Sequence, residues 1–163
     1  MTLPWTELHF LLVGNNQHML RLLQTILHSH GVKAIQSVRD GQQAIAALRD
    51  APPDVMIAEW IMAPMDGLDL TRAIRRSEKC AERRLPILLM TGVADGNLLP
   101  LAINAGASAI VLKPLHAKSL IAAIDGLTIP LRPSLRHMGD ADCGSGLQSA
   151  PDQSQTTPKS PPT

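Results

Sequence analysis

The chain has 163 residues, of which 45% are apolar, enough for one domain with a substantial core. Its 15 basic and 14 acidic side chains leave a formal net charge of +1, and neither sign is concentrated in one segment, which argues against a nucleic-acid or membrane partner. Its two cysteines, Cys80 and Cys143, lie in different regions and suggest no disulfide framework, and no run approaches the roughly 18 to 20 apolar residues of a membrane span.

The opening stretch, MTLPWTELHFLLVGNN, has no cationic start and no apolar run of signal-peptide length, so a cytoplasmic protein is expected. HFLLVG (9–14) predicts a strand buried on both faces. QHMLRLLQTILHSHG follows with Met19, Leu22, Leu23 and Ile26 at helical spacing and Gly31 where a C-cap belongs. VKAIQSV (32–38) alternates as a second strand, and DGQQAIAALRD (40–50) predicts a helix with Ala44, Ile45 and Leu48 inward, closed by PPD. DVMIAE (54–59) is a third buried strand and GLDLTRAIRRSE (67–78) a third helix. LPILLMT (85–91), GNLLPLAINAG (96–106), SAIVLK (108–113) and AKSLIAAIDGL (117–127) complete five strand–helix pairs.

Such alternation predicts an α/β fold in which a five-stranded parallel sheet lies between two helical layers. Function in these sheets collects beyond the carboxyl ends of the strands, which singles out Gly14, Asn15, Glu59, Thr91 and Lys113. From residue 129 onward the chain is rich in Pro, Ser, Gly and Gln without hydrophobic period, so residues 1–128 are expected to fold and 129–163 to form a disordered tail. In the fourth long helix Pro100, Leu101 and Ala105 are expected to face inward. That leaves Leu99 and Ile103, spaced i,i+4, on an outward stripe.

Other reactive residues have plainer readings. Arg75 and Arg76, with Arg83 and Arg84 close by, read as a solvated helix end rather than a phosphate patch. His28 and His30 fall on different helix faces and make no metal pair, and His18 reads as a solvated first-turn residue. Ser108 has no His or Asp at triad spacing, and Cys80 has no redox partner. VGNNQH lacks the glycines and the lysine of a nucleotide phosphate loop.

Several segments match a known pattern together: EWIMAPMDGLDL at the third strand end, LLMTG with Thr91, AGASAIVLKPL with Lys113 and Pro114, and RDGQQAI in the second helix. Over residues 8–127 the chain resembles the receiver domain of two-component response regulators, closest in layout to single-domain chemotaxis-type receivers. The resemblance implies a flavodoxin-like (βα)5 fold with strand order 2-1-3-4-5. It also implies an acidic pair after the first strand, a phosphoacceptor aspartate ending the third, a hydroxyl, a lysine, and a Mg²⁺ ion held mainly by carboxylates.

Against that pattern the acidic pair falls on Gly14 and Asn15, or on Asn15 and Asn16 in a register one residue later. Glu59 replaces the aspartate, and Ile110 replaces the aromatic residue of the fifth strand. Mg²⁺ needs hard oxygen ligands and usually one or two carboxylates, so no bound Mg²⁺, and no other cofactor, is expected. Without the metal, and with a nucleophile displaced by a methylene, aspartyl-type phosphorylation loses both its positioning and its electrostatics. Two roles stay open for Glu59: a carboxylate paired with Lys113, or a negative charge biasing the domain towards an active-like state.

The expected protein is a non-enzymatic, atypical receiver acting in a phosphorelay by protein contact. Its implied partners are a histidine kinase, a phosphotransfer protein, another receiver or a second copy of itself. The docking face would combine Leu99 and Ile103 with Ile110 of the fifth strand and Ala122 and Ala123 of the last helix. The alternatives are a metal-dependent phosphoacceptor that uses Glu59, and a binder of small anions in the emptied pocket.

Overall fold

The computed structural model describes residues 4–130, so the tail expected from 129 onward lies almost wholly outside the described residues. After a 3-10 turn (Trp5–Glu7) come β1 (His9–Val13), α1 (Gln17–Ser29), β2 (Ala34–Val38), α2 (Gly41–Asp50), β3 (Val55–Glu59) and α3 (Gly67–Arg75). A one-turn helix, α4 (Cys80–Arg83), precedes β4 (Ile87–Thr91), α5 (Leu98–Ala105), β5 (Ala109–Leu112) and α6 (Ala117–Asp125). The strands form one sheet in the order β2-β1-β3-β4-β5, every pairing parallel. This is the three-layer flavodoxin-like receiver fold.

Strand alternation divides the core into two halves. Leu11, Val13, Met56, Ala58, Ile87 and Leu89 point to one face and pack with α2, α3 and α5. Phe10, Leu12, Val55, Ile57, Leu88 and Met90 point to the other, beneath α1 and α6. Each of the larger side chains so enclosed contributes about 1.5–3 kcal/mol relative to exposure. Both faces of the three inner strands are covered, which is why these segments read as continuous apolar runs.

Local chemistry sets where helices start and stop. Asn16 caps α1 by accepting from the His18 and Met19 amides, Asp40 caps α2 through the Gln43 amide, and Asp66 caps α3 through the Asp69 amide. α5 ends at Gly106, whose φ of 101° only glycine adopts readily. Among the described residues no helix is long and apolar enough to cross a membrane.

Three sequence expectations are corrected. Leu22 is exposed, and α1 turns Leu20, Leu23, Ile26 and Leu27 inward instead. In α5 the inward residues are Ala102 and Ala105, with Leu98 partly covered, whereas Pro100 and Leu101 face solvent. Small side chains let α5 lie close to the sheet, and that rotation throws its leucines outward. Arg75 is no solvated residue: its Nε donates to the Gly106 carbonyl at 2.9 Å and its Nη1 to the Arg83 carbonyl at 3.0 Å.

Candidate functional site

Because the sheet is parallel, all its carboxyl ends meet at one edge. Gly14 follows β1 there, Glu59 ends β3, Thr91 ends β4 and Lys113 follows β5. Main-chain bonds set their heights: Gly14 N–H donates to Val38 O at 3.0 Å and Lys113 N–H to Thr91 O at 2.8 Å. Glu59 stands opposite Met90, and Thr91 opposite Leu112.

Glu59 is 2% exposed, a depth at which a carboxylate needs a partner. Its Oε1 accepts from Lys113 Nζ at 3.1 Å, and the lysine side chain is 29% exposed. The rest of the carboxylate lies over Gly14. A Cβ at that glycine would stand 3.0 Å from Glu59 Cδ and 3.1 Å from both Cγ and Oε2. One side of the acid thus meets Lys113 and the other the bare Gly14 backbone. Thr91 is buried, and its Oγ1 accepts the Val93 amide at 3.2 Å.

The loop after β3 is tied down close to the acid. Trp60 N–H donates to Met90 O at 2.8 Å, and Gly67 N–H donates to Trp60 O at 2.7 Å. A side chain at position 67 would collide with the Glu59 carbonyl, so glycine is needed where α3 begins. Met62 is buried in the core, and Met65 packs on Gly41 at the start of α2.

The asparagines do not join this cluster. Asn16 is exposed and its Oδ1 is engaged in capping α1, while Asn15 is exposed and makes no hydrogen bond to Glu59 among the described residues. Among those residues, no group of three or more His, Cys, Asp or Glu side chains is placed to hold a metal ion. The remaining candidates have structural partners. His28 Nδ1 meets Val32 O at 2.9 Å, His30 Nδ1 meets Ile26 O at 3.0 Å, and Ser108 Oγ accepts the Ile87 amide at 3.1 Å. His18 is exposed.

On the expected docking face, Leu99 is 53% and Ile103 60% exposed. Ile110 is half-buried against the α5-side core, Ala122 is exposed, and Ala123 packs partly against the α6-side core. The sequence reading turned Leu101 inward and left out Leu112, and both are exposed. The alternation of β5, which puts residue 112 on the same side as Ile110, is the signal that would have found Leu112.

The chain matches the response regulator receiver domain family over residues 10–125. It is 31% identical over 110 residues to the chemotaxis protein CheY of Pseudomonas aeruginosa, covering 68% of this chain and 87% of that one. It is 29% identical over 119 residues to the chemotaxis protein CheY-3 of Vibrio cholerae, covering 73% of this chain and 90% of that one. The Vibrio cholerae chemotaxis response regulator CheY4 superposes with a TM-score of 0.67 at 22% identity, covering 72% of this chain and 96% of that one. The receiver domain of a Syntrophus aciditrophicus histidine kinase gives 0.66 at 24%, covering 80% and 99%. With the sheet order, the lysine and hydroxyl positions and this match all agreeing, the chain belongs to the response regulator receiver domain family.

Proposed function

We propose that this chain is an atypical receiver that works in a cytoplasmic phosphorelay by protein contact, without Mg²⁺-dependent phosphorylation of its own. Receiver domains of this family act as phosphoacceptor signalling modules rather than as enzymes. The observation that carries the proposal is the Glu59–Lys113 pair folded over Gly14. The acceptor position holds a carboxylate already neutralised by the lysine, and neither Gly14 nor Asn15 adds a second. Mg²⁺ keeps near-octahedral oxygen coordination and draws on carboxylates. Gly14 has no side chain to offer, Asn15 is exposed, and the one acid is shared with a cation, so this donor set does not fit the ion.

The partners of such a module are a histidine kinase, a phosphotransfer protein, another receiver or a second copy, engaged through α5, β5 and α6. Leu99 and Ile103 on α5 and Leu112 on β5 support that face. A small anion in the pocket is disfavoured, because Lys113 already has its counterion.

Labelling with a radioactive acyl phosphate in millimolar Mg²⁺ tests this reading. The wild type should stay unlabelled. Gly14→Asp, Asn15→Asp and Glu59→Asp combined should label slowly; the change at 59 withdraws the acid that a side chain at 14 would meet. Trp60 fluorescence in a Trp5→Phe background should show no saturable response to Mg²⁺ until those three changes are made. Labelling of the wild type that Glu59→Gln abolishes would overturn the proposal.

A further inference from the structure

A concavity lies away from the strand ends that carry Glu59. Helices in a parallel α/β layer run antiparallel to the strands, so the last turns of α2 and α3 sit towards the sheet end opposite Glu59. Between those turns and α4 is a cavity of about 410 Å³, half open to solvent. Its floor is apolar: Leu48 and Ile74 belong to the core, while Ile45 and Ala73 are only half-covered.

The rim is polar, and its charges are unequally satisfied. Glu82 is largely buried; its Oε2 is hydrogen-bonded by Ser77 Oγ and its Oε1 lies 3.7 Å from Lys79 Nζ. Arg49, exposed on the last turn of α2, makes no hydrogen bond or ion pair among the described residues. Glu78 also lines the cavity and is exposed, likewise without a partner among them. The cavity therefore presents a half-covered apolar floor beside a guanidinium with open donors, which suits bidentate recognition of a carboxylate or sulfonate.

We propose that this cavity binds a small organic acid with an apolar body, such as a medium-chain or aromatic carboxylate. The body would cover Ile45 and Ala73 and the acid group would meet Arg49. Glu78, as a like charge on the rim, would oppose such a ligand. The site does not depend on whether Glu59 is phosphorylated.

The full-length protein can be titrated with 8-anilinonaphthalene-1-sulfonate, an aromatic sulfonate whose emission rises in apolar surroundings. One saturable equivalent is expected, displaced by octanoate and not by octylammonium. Arg49→Gln should weaken binding about tenfold, Glu78→Gln should tighten it, and Ala73→Phe, which fills the cavity, should abolish it. The Leu99→Asp, Ile103→Asp variant should bind the dye normally, separating this site from the α5 face. Absence of saturation, equal displacement by both octyl compounds, or loss of binding only in the α5 variant would each overturn the proposal. Circular dichroism reports whether Ala73→Phe folds. If it does not, the exposed Arg49→Gln decides, since unchanged affinity there is incompatible with an acid group held by Arg49.

Discussion

Glu59, Gly14 and Lys113 form one steric and electrostatic unit. The missing side chain at 14 leaves the volume that the glutamate occupies. Removing one partner of a buried ion pair leaves the other desolvated and uncompensated. Because Lys113 is 29% exposed, Glu59→Gln and Lys113→Met should each cost roughly 1–3 kcal/mol, below the range for fully buried pairs. The double variant should lose clearly less than their sum in urea melts; strict additivity would mean the pair contributes nothing. Gly14→Ala places a methyl 3.0 Å from the carboxylate carbon and should destabilise by about 1–3 kcal/mol. Adding Glu59→Asp, which draws the acid back by one methylene, should recover part of that loss.

At the scale of elements, Arg75 links three helices through main-chain carbonyls. It reaches Gly106 at the end of α5 and Arg83 at the end of α4, where carbonyls lack intrahelical donors and the helix dipoles favour a cation. Burial lowers the guanidinium's pKa from its ordinary value, yet arginine stays charged in proteins, so the clamp is cationic throughout the neutral range. Arg75→Met should cost roughly 1.5–3 kcal/mol in thermal melts. It should also speed hydrogen exchange at the Gly106 and Ala107 amides, which both bond to Ala102 O. Gly106→Ala should be worse than a propensity change alone. Its φ of 101° is unfavourable for alanine, and its Cβ would stand 2.6 Å from Arg75 Cγ. Exchange rates that do not change in Arg75→Met would show that α5 is held by its small core residues alone.

For the whole molecule, surface character is uneven. β5 is an edge strand, its four residues carry no charge, and Leu112 is exposed on it next to an α5 that exposes Leu99, Leu101 and Ile103. Apolar edges of this kind are usually blunted by charges or covered. The net charge of +1 gives little long-range repulsion between copies. Sedimentation of the wild type should show self-association, and Leu99→Asp with Ile103→Asp should give a monomer. Its stability should stay within about 0.5 kcal/mol per site, because neither side chain is buried. Persistence of the dimer in that variant would move the contact to another surface.

The order of five strands and their helices was legible from the sequence because period and turn chemistry are local. A run such as HFLLV can satisfy its side chains only between two covered faces, and Asp40 and Asp66 mark helix starts by their own hydrogen bonds. The positions of Gly14, Glu59, Thr91 and Lys113 followed as well, since parallel strands must end at one edge. What the side chains do there was decided by packing in three dimensions. Whether the Glu59 carboxylate can lie over Gly14 depends on the space between β1 and β3. Whether Leu101 or Ala102 faces the sheet depends on a rotation of about 100° per residue, set by how closely α5 approaches its neighbours. Arg75 looked like a solvated charge because its partners are carbonyls, one of them 31 residues away, and carbonyls leave no mark on a sequence.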